Sequence, residues 1–200
     1  MRLSRNRAVL MSASLLFVAA LVGCGQPPAS APAAPAPAAA PAQSQVEHGH
    51  QLIIGGGCHD CHTPKMMTPK GPEADMTRML SGHPESDKIT APFPQKPGDK
   101  YTTHVNDHLT AWSGAWGVSF AANLTPDTNT GLGIWTEDMF LRALRTGRHM
   151  GTSRPINPPM PWTAFRNASD EDLKSIYLFL RTIPPVPNHV PDYRPPVGFD

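Results

Sequence analysis

The sequence predicts a mainly α domain in which a few short helices are separated by long loops. Proline and glycine are frequent, with 24 and 16 residues in a chain of 200, and this composition favours loops over long regular elements. Three segments nonetheless show the apolar spacing and end signals of helices, at 45–57, 136–145 and 169–182. A chain of this length has room for one such domain with appendages, which excludes a large multidomain enzyme.

The first 23 residues have the pattern of an export signal. Three arginines precede an apolar stretch at 8–22, which is too short for a comfortable membrane-spanning helix. The stretch ends in LVGC at 21–24, which resembles the lipobox of bacterial lipoproteins, in which the cysteine takes lipid on its sulfur. We therefore expect the mature chain to begin at a lipidated Cys24. An ordinary secretory peptide with an incidental cysteine is the alternative.

Residues 24–45 are almost entirely Ala, Pro, Ser and Gln, so this segment has nothing to bury and is predicted to be a tether. In a polyproline-like conformation it could reach roughly 60 Å, at about 3.1 Å per residue. The whole chain carries 17 Lys and Arg against 16 Asp and Glu. This near-neutral balance gives no electrostatic footprint for nucleic acid.

The strongest motif is Cys58-His59-Asp60-Cys61-His62. Two thiols at this spacing can add to the two vinyl groups on one edge of a porphyrin, and the adjacent His62 can then bind the iron. A single turn of helix satisfies all three bonds. The pattern therefore predicts one covalently bound haem c, attached at Cys58 and Cys61.

The same cysteines could instead form a redox-active disulfide, half of a zinc site or a structural disulfide. A thioredoxin-like motif should lie between a strand and a helix, and a zinc site should have a second ligand pair at its own spacing. The sequence shows neither feature. The predicted export adds support, because haem is attached to such proteins outside the cytoplasm.

The second axial ligand decides between electron transfer and ligand chemistry at the iron. Met160 stands out because prolines on both sides fix the backbone and preorganise a weak thioether ligand. Met139 lies within a predicted helix, where core packing is the expected role. Other candidates follow His62 closely or lie shortly before the proline loop: Met66, Met67, Met76, Met79, His149 and Met150.

The order of the motifs resembles the class I cytochrome c family. The haem motif is followed by NLTPD at 123–127, TGLGIW at 130–135, MPW at 160–162 and a terminal helix. Within that family, the chain is most similar to the haem modules of cytochrome subunits that serve membrane-associated bacterial dehydrogenases. The resemblance covers about residues 46–186, and residues 187–200 follow as a proline-rich tail.

The resemblance implies a class I cytochrome c fold, with a few short helices around one haem. It also implies that Met160 is the distal iron ligand and that Trp135 and Asn123 lie near the haem edge. The first and last helices of the family cross, which would bring Gly49 towards Tyr177.

The chain departs from the family in two respects. It has one haem motif, whereas the dehydrogenase subunits often have several. The sixty residues at 63–122 exceed what a minimal module needs, and we predict no regular structure there beyond a short helix around 75–80. Pro72 is the candidate for the carbonyl that holds the His62 ring.

These features predict an electron carrier rather than an enzyme, anchored by lipid on the periplasmic side of a bacterial membrane. The outer membrane is favoured because Gly25, rather than an aspartate, follows Cys24. The expected partners are redox proteins: a dehydrogenase, an oxidase or another cytochrome. Two alternatives are a peroxidase-like haem enzyme or sensor with an open distal site, and a structural lipoprotein whose thiols do something else.

Overall fold

The computed structural model describes residues 44–89 and 103–196. The predicted signal peptide, Cys24 and nearly all of the predicted tether lie outside the described residues. Within the described ranges, no helix is both long enough and apolar enough to cross a membrane.

Along the described residues, two α-helices are followed by five short strands and then by three further α-helices. The helices are α1 (Gln45–Gly55), α2 (Cys58–His62), α3 (Glu137–Thr146), α4 (Trp162–Phe165) and α5 (Asp170–Leu180). The strands are β1 (Lys65–Thr68), β2 (Gly71–Ala74), β3 (His104–Val105), β4 (Ala111–Gly114) and β5 (Gly117–Phe120). Strands β1 and β2 form a hairpin, and β3, β4 and β5 form a three-stranded sheet in that order.

The predicted helices form where their end signals place them. Ser44 and Glu47 make a capping box at the start of α1. Thr136 caps α3, and Gly147, with a φ of 67°, ends it in the left-handed conformation. Ser169 caps α5 by accepting a hydrogen bond from the backbone N–H of Asp172. The haem motif forms the single helical turn α2, as its chemistry requires.

The first and last long helices cross in direct backbone contact. A Cβ atom placed on Gly49 would lie 1.9 Å from the carbonyl oxygen of Ser175 in α5, so no larger residue fits. His48 and Asp172 join the same two helices through a 2.7 Å hydrogen bond. The predicted crossing is therefore present, with Ser175 as the residue that Gly49 meets.

The core lies between this helix pair and α3. Ile53 of α1, Phe140 of α3 and Leu173 of α5 are buried in it, together with neighbouring aliphatic side chains. The apolar stripes that predict the helices are thus the faces that pack against one another.

The segment at 63–122 has more regular structure than the sequence predicts. The helix expected around 75–80 is only a 3₁₀ turn, Met76–Arg78, capped by Asp75. The strands β1 to β5 were not predicted, because none exceeds four residues and so short a run shows no readable alternation.

The predicted tail, residues 187–200, is described up to residue 196 and lies against the domain. The Asn188 side chain donates hydrogen bonds to the carbonyl oxygens of Ser81 and His83, at 2.7 and 2.8 Å. Further along, Arg194 forms an antiparallel bridge with Val118 of β5. The described part of the tail is therefore packed against the domain.

Candidate functional site

A cavity of about 630 Å³ lies between the haem-motif turn and the core. Its volume is within the range of about 300–1,000 Å³ that is typical of cofactor sites. Cys58, Cys61 and His62 all line it, and so do apolar core residues: Ile53, Leu132, Phe140, Leu144, Ile176 and Leu180. A large apolar cavity with two thiols and an imidazole at its wall fits a covalently attached haem.

His62 is oriented for metal binding. It is buried, and its Nδ1 lies 2.8 Å from the carbonyl oxygen of Ala122. Because a carbonyl only accepts, Nδ1 carries the proton, which leaves the Nε2 lone pair for a metal. Burial also lowers the pKa of the ring from its ordinary value, against the opposing effect of the Ala122 bond, and this favours the neutral, metal-binding form.

Pro72 was the wrong candidate for the residue that holds the His62 ring. Pro72 lies exposed in β2, whereas the acceptor is Ala122, sixty residues after the histidine. No local pattern connects positions so far apart. The one usable signal is that Ala122 directly precedes Asn123 of the NLTPD motif.

The two cysteines are free thiols at the cavity wall. Burial raises the pKa of Cys58 to about 11 and raises that of Cys61 as well. Both are therefore neutral thiols at neutral pH. A thiol–disulfide catalyst needs the opposite, a thiol whose pKa is lowered, so this environment disfavours the redox-disulfide alternative.

Met160 lines the same cavity as His62. Its loop is held on both sides: Ser119 of β5 donates to the carbonyl oxygen of Pro158, and the N–H of Ala164 donates to that of Pro161 at 2.9 Å. The thioether is therefore carried by a fixed loop at the cavity wall, as a weak ligand requires.

The other methionine candidates lie elsewhere. Among the described residues that line the cavity, Met160 is the one methionine. The side chains of Met66, Met67 and Met76 are exposed by 45%, 71% and 56%. Met79 packs against the hydrophobic core, and Met139 and Met150 are not among the lining residues.

His149 stays open as an alternative ligand, because it also lines the cavity. Its ring packs edge-on against Trp135, with 4.9 Å between the ring centroids. Burial, and then the nearby Arg154, lower its pKa from the ordinary value. The imidazole is thus neutral, which is the form that binds a metal.

Trp135 and Asn123 both line the cavity, as expected of residues near a haem edge. The polar atoms of Asn123 are engaged within the protein: Oδ1 accepts from the N–H and hydroxyl of Thr125, and Nδ2 donates to Thr130 Oγ1 and to the carbonyl oxygen of Val186. Its visible role is to fix the loop and the tail around the cavity. Haem contact by either residue stays a prediction.

No protein-family model matches the chain, but curated relatives do. A nicotinate dehydrogenase subunit of Pseudomonas putida is 27% identical over 161 residues, which cover 80% of this chain and 10% of the relative. The fructose dehydrogenase cytochrome subunit of Gluconobacter japonicus is 27% identical over 155 residues, covering 77% and 24%. The cytochrome c subunit of the quinone alcohol dehydrogenase of Gluconobacter oxydans is 35% identical over 86 residues, covering 41% and 18%.

The chain spans between a tenth and a quarter of the length of these relatives. The similarity to cytochrome c subunits of bacterial dehydrogenases is as the motifs predict. These relatives are named as cytochrome subunits of dehydrogenases or as a c-type cytochrome, which agrees with the prediction of an electron carrier rather than an enzyme.

Proposed function

We propose that the chain is a c-type cytochrome that carries single electrons, with one haem attached at Cys58 and Cys61 and with His62 and Met160 as iron ligands. One observation carries the proposal: both cysteines, a histidine with a fixed Nδ1 proton and a methionine on a braced loop line the same apolar cavity. A class I cytochrome c fold is part of the proposal, supported by the order of the motifs and the crossing of α1 and α5.

When bound, the haem supplies an iron that gains and loses one electron. The residues of the chain do the rest. Cys58 and Cys61 would hold the group by thioether bonds, each thiol adding its S and H across one vinyl group. His62 presents Nε2 because Ala122 holds its other nitrogen. Met160 would offer its thioether as a second iron ligand and would thereby deny substrates access to the metal.

The apolar lining has an electrostatic consequence. A methionine ligand and a buried site both favour the less charged ferrous iron, so the midpoint potential is positive in this proposal. A strongly negative potential in a redox titration would contradict His62–Met160 ligation.

A haem enzyme or sensor is the second candidate function, because His149 lines the same cavity as Met160. If Met160 left the iron, an open position would allow peroxidase-like chemistry. Rapid binding of cyanide or carbon monoxide by untreated protein at neutral pH would favour this candidate over the electron carrier.

The attachment test uses full-length protein matured in an exporting bacterial host. Acidified organic solvent removes non-covalent haem, so we expect the haem to stay with the wild-type chain and one equivalent to be found by mass. The variant Cys58→Ser/Cys61→Ser should lose it, whereas Cys24→Ser should keep it as the matched cysteine control. Extractable haem in the wild type would overturn the proposal.

We further propose that the protein is lipid-anchored through Cys24 on the periplasmic side of a membrane, and that a dehydrogenase, an oxidase or another cytochrome is its redox partner. The LVGC motif supports the anchor, and the names of the relatives support a dehydrogenase partner. Cys24→Ser should release haem-loaded protein into the soluble periplasmic fraction. Unchanged membrane association of that variant would refute the anchor.

A further inference from the structure

Lys65 is a buried lysine beside the haem-motif turn. It begins β1, three residues after His62, and only 9% of it is exposed. Its Nζ donates to three backbone carbonyl oxygens, those of Thr63 at 2.7 Å, His59 at 2.8 Å and Asp60 at 3.1 Å. An ammonium group has three donors and no acceptor. The three carbonyls therefore satisfy it completely.

The three acceptors are carbonyls of α2 and of Thr63, the residue that caps its C-terminal end, and the His59 carbonyl also accepts from the Thr63 N–H at 3.3 Å. Carbonyl oxygens at the C-terminal end of a helical turn are stabilised by a nearby cation. Among the described residues, no carboxylate lies within ion-pair distance of Lys65, although the Asp60 carboxyl is near enough to oppose the effect of burial on the pKa of the lysine. The direct contacts of the ammonium group are therefore with peptide carbonyls rather than with a carboxylate.

The backbone around Lys65 is fixed from two directions. Lys65 pairs with Ala74 in the β1–β2 hairpin. The Nδ1 of His108 donates to the carbonyl oxygen of Lys65 at 2.6 Å. The β1–β2 hairpin and His108 therefore fix the backbone of Lys65, and with it the position of the ammonium group next to α2.

We propose that Lys65 is a positioning residue for the haem-motif turn and that its fixed positive charge raises the midpoint potential of the iron. The inference rests on the proposed function, because it concerns the iron held by His62. Reduction adds one electron, delivered by a redox partner protein, and lowers the charge at the iron by one. A fixed cation in a poorly polarisable interior disfavours the more positive ferric state.

The test compares midpoint potentials of haem-loaded variants. Lys65→Gln keeps hydrogen-bond donors without the charge, Lys65→Met keeps neither, and Lys65→Arg keeps the charge. We expect the first two to shift the equilibrium towards ferric iron by about tenfold, a decrease of about 59 mV for a one-electron couple. Lys65→Arg should stay near the wild-type potential.

Lys70 provides the matched control, because it lies exposed in the turn of the same hairpin. Lys70→Gln removes the same charge at the surface, where solvent screens it, so its potential should equal that of the wild type. A wild-type potential in Lys65→Gln, or an equal decrease in Lys70→Gln, would overturn the inference.

Haem content separates the two roles of Lys65. If Lys65→Gln and Lys65→Met lose covalent haem while Lys65→Arg retains it, the cation is needed to hold the turn, which supports the proposal. Loss of haem in Lys65→Arg as well would overturn the role of charge. Absence of covalent haem from the wild type would instead contradict the proposed function, so the two failures are distinguishable.

Discussion

The Nδ1 of His62 lies 2.8 Å from the carbonyl oxygen of Ala122, just past the end of strand β5. The same strand carries Ser119, whose hydroxyl donates to Pro158 in the loop of Met160. Strand β5 and the residues directly after it thus contact both His62 and the loop that carries Met160. The long segment after the haem motif therefore has a defined place in the site.

Ser119→Ala should loosen the methionine loop. The change removes the bond to Pro158 and the acceptor for Trp116 Nε1, and one such bond is worth about 1 kcal/mol. We expect added imidazole to replace Met160 on oxidised iron with about fivefold higher affinity, measured by spectral titration. Ser153→Ala, at an exposed position seven residues before Met160 in the sequence, should leave this affinity unchanged. Equal affinities in wild type and Ser119→Ala would contradict a bracing role.

Gly49→Ala should strongly destabilise the domain. The added Cβ would lie 1.9 Å from a backbone oxygen of α5, and forcing the helices apart costs about 1–3 kcal/mol. The free energy of unfolding in urea measures this cost. Gly55→Ala is the control, because no atom lies within 4 Å of its added Cβ, and we expect a change of no more than about 1 kcal/mol there. Similar stabilities of the two variants would argue against the close crossing.

Asp172 should contribute to stability at neutral pH and lose that contribution in acid. The hydrogen bond from His48, followed by that from Ser169, lowers the pKa of its carboxyl below 3.8. A carboxyl with a lowered folded-state pKa stabilises the fold above its unfolded pKa. The contribution disappears as the pH falls through the folded-state pKa.

Asp172→Asn should therefore be less stable than the wild type at neutral pH, and the difference should shrink as the pH falls below about 4. Urea titrations across this range measure it. Asp138→Asn removes an exposed carboxylate that pairs with Arg142 on α3, and it should change stability by less than about 0.5 kcal/mol. A difference for Asp172→Asn that is constant with pH would contradict the linkage.

Asn188→Ala should detach the tail from the domain. It leaves the carbonyl oxygens of Ser81 and His83 without the Asn188 amide, and an unsatisfied buried polar group costs about 1–3 kcal/mol. Backbone hydrogen exchange of residues 186–196 should become faster. Pro187 is exposed, so the control variant Pro187→Ala should change this exchange rate little. Unchanged exchange in Asn188→Ala would show that the amide does not hold the tail.

Signals between residues close in sequence predict the helices. The features that the sequence does not predict depend on contacts between residues far apart in the chain. Thr136 and Gly147 mark the ends of α3 in the sequence because caps act within a few residues. The proline-framed Met160 was recognisable for the same reason. By contrast, Ala122 accepts the hydrogen bond of His62 through a backbone oxygen that any residue has, and the role of Lys65 depends on its burial. Neither property is visible in the sequence.

The most direct test of His62–Met160 ligation is the weak far-red absorption band of an iron–methionine sulfur bond in oxidised protein. We expect the band in the wild type and its loss in Met160→Ala. The band should remain in His149→Ala, which removes the competing imidazole at the cavity wall. A band that persists in Met160→Ala, or that disappears in His149→Ala alone, would contradict the assignment of Met160 as the distal ligand.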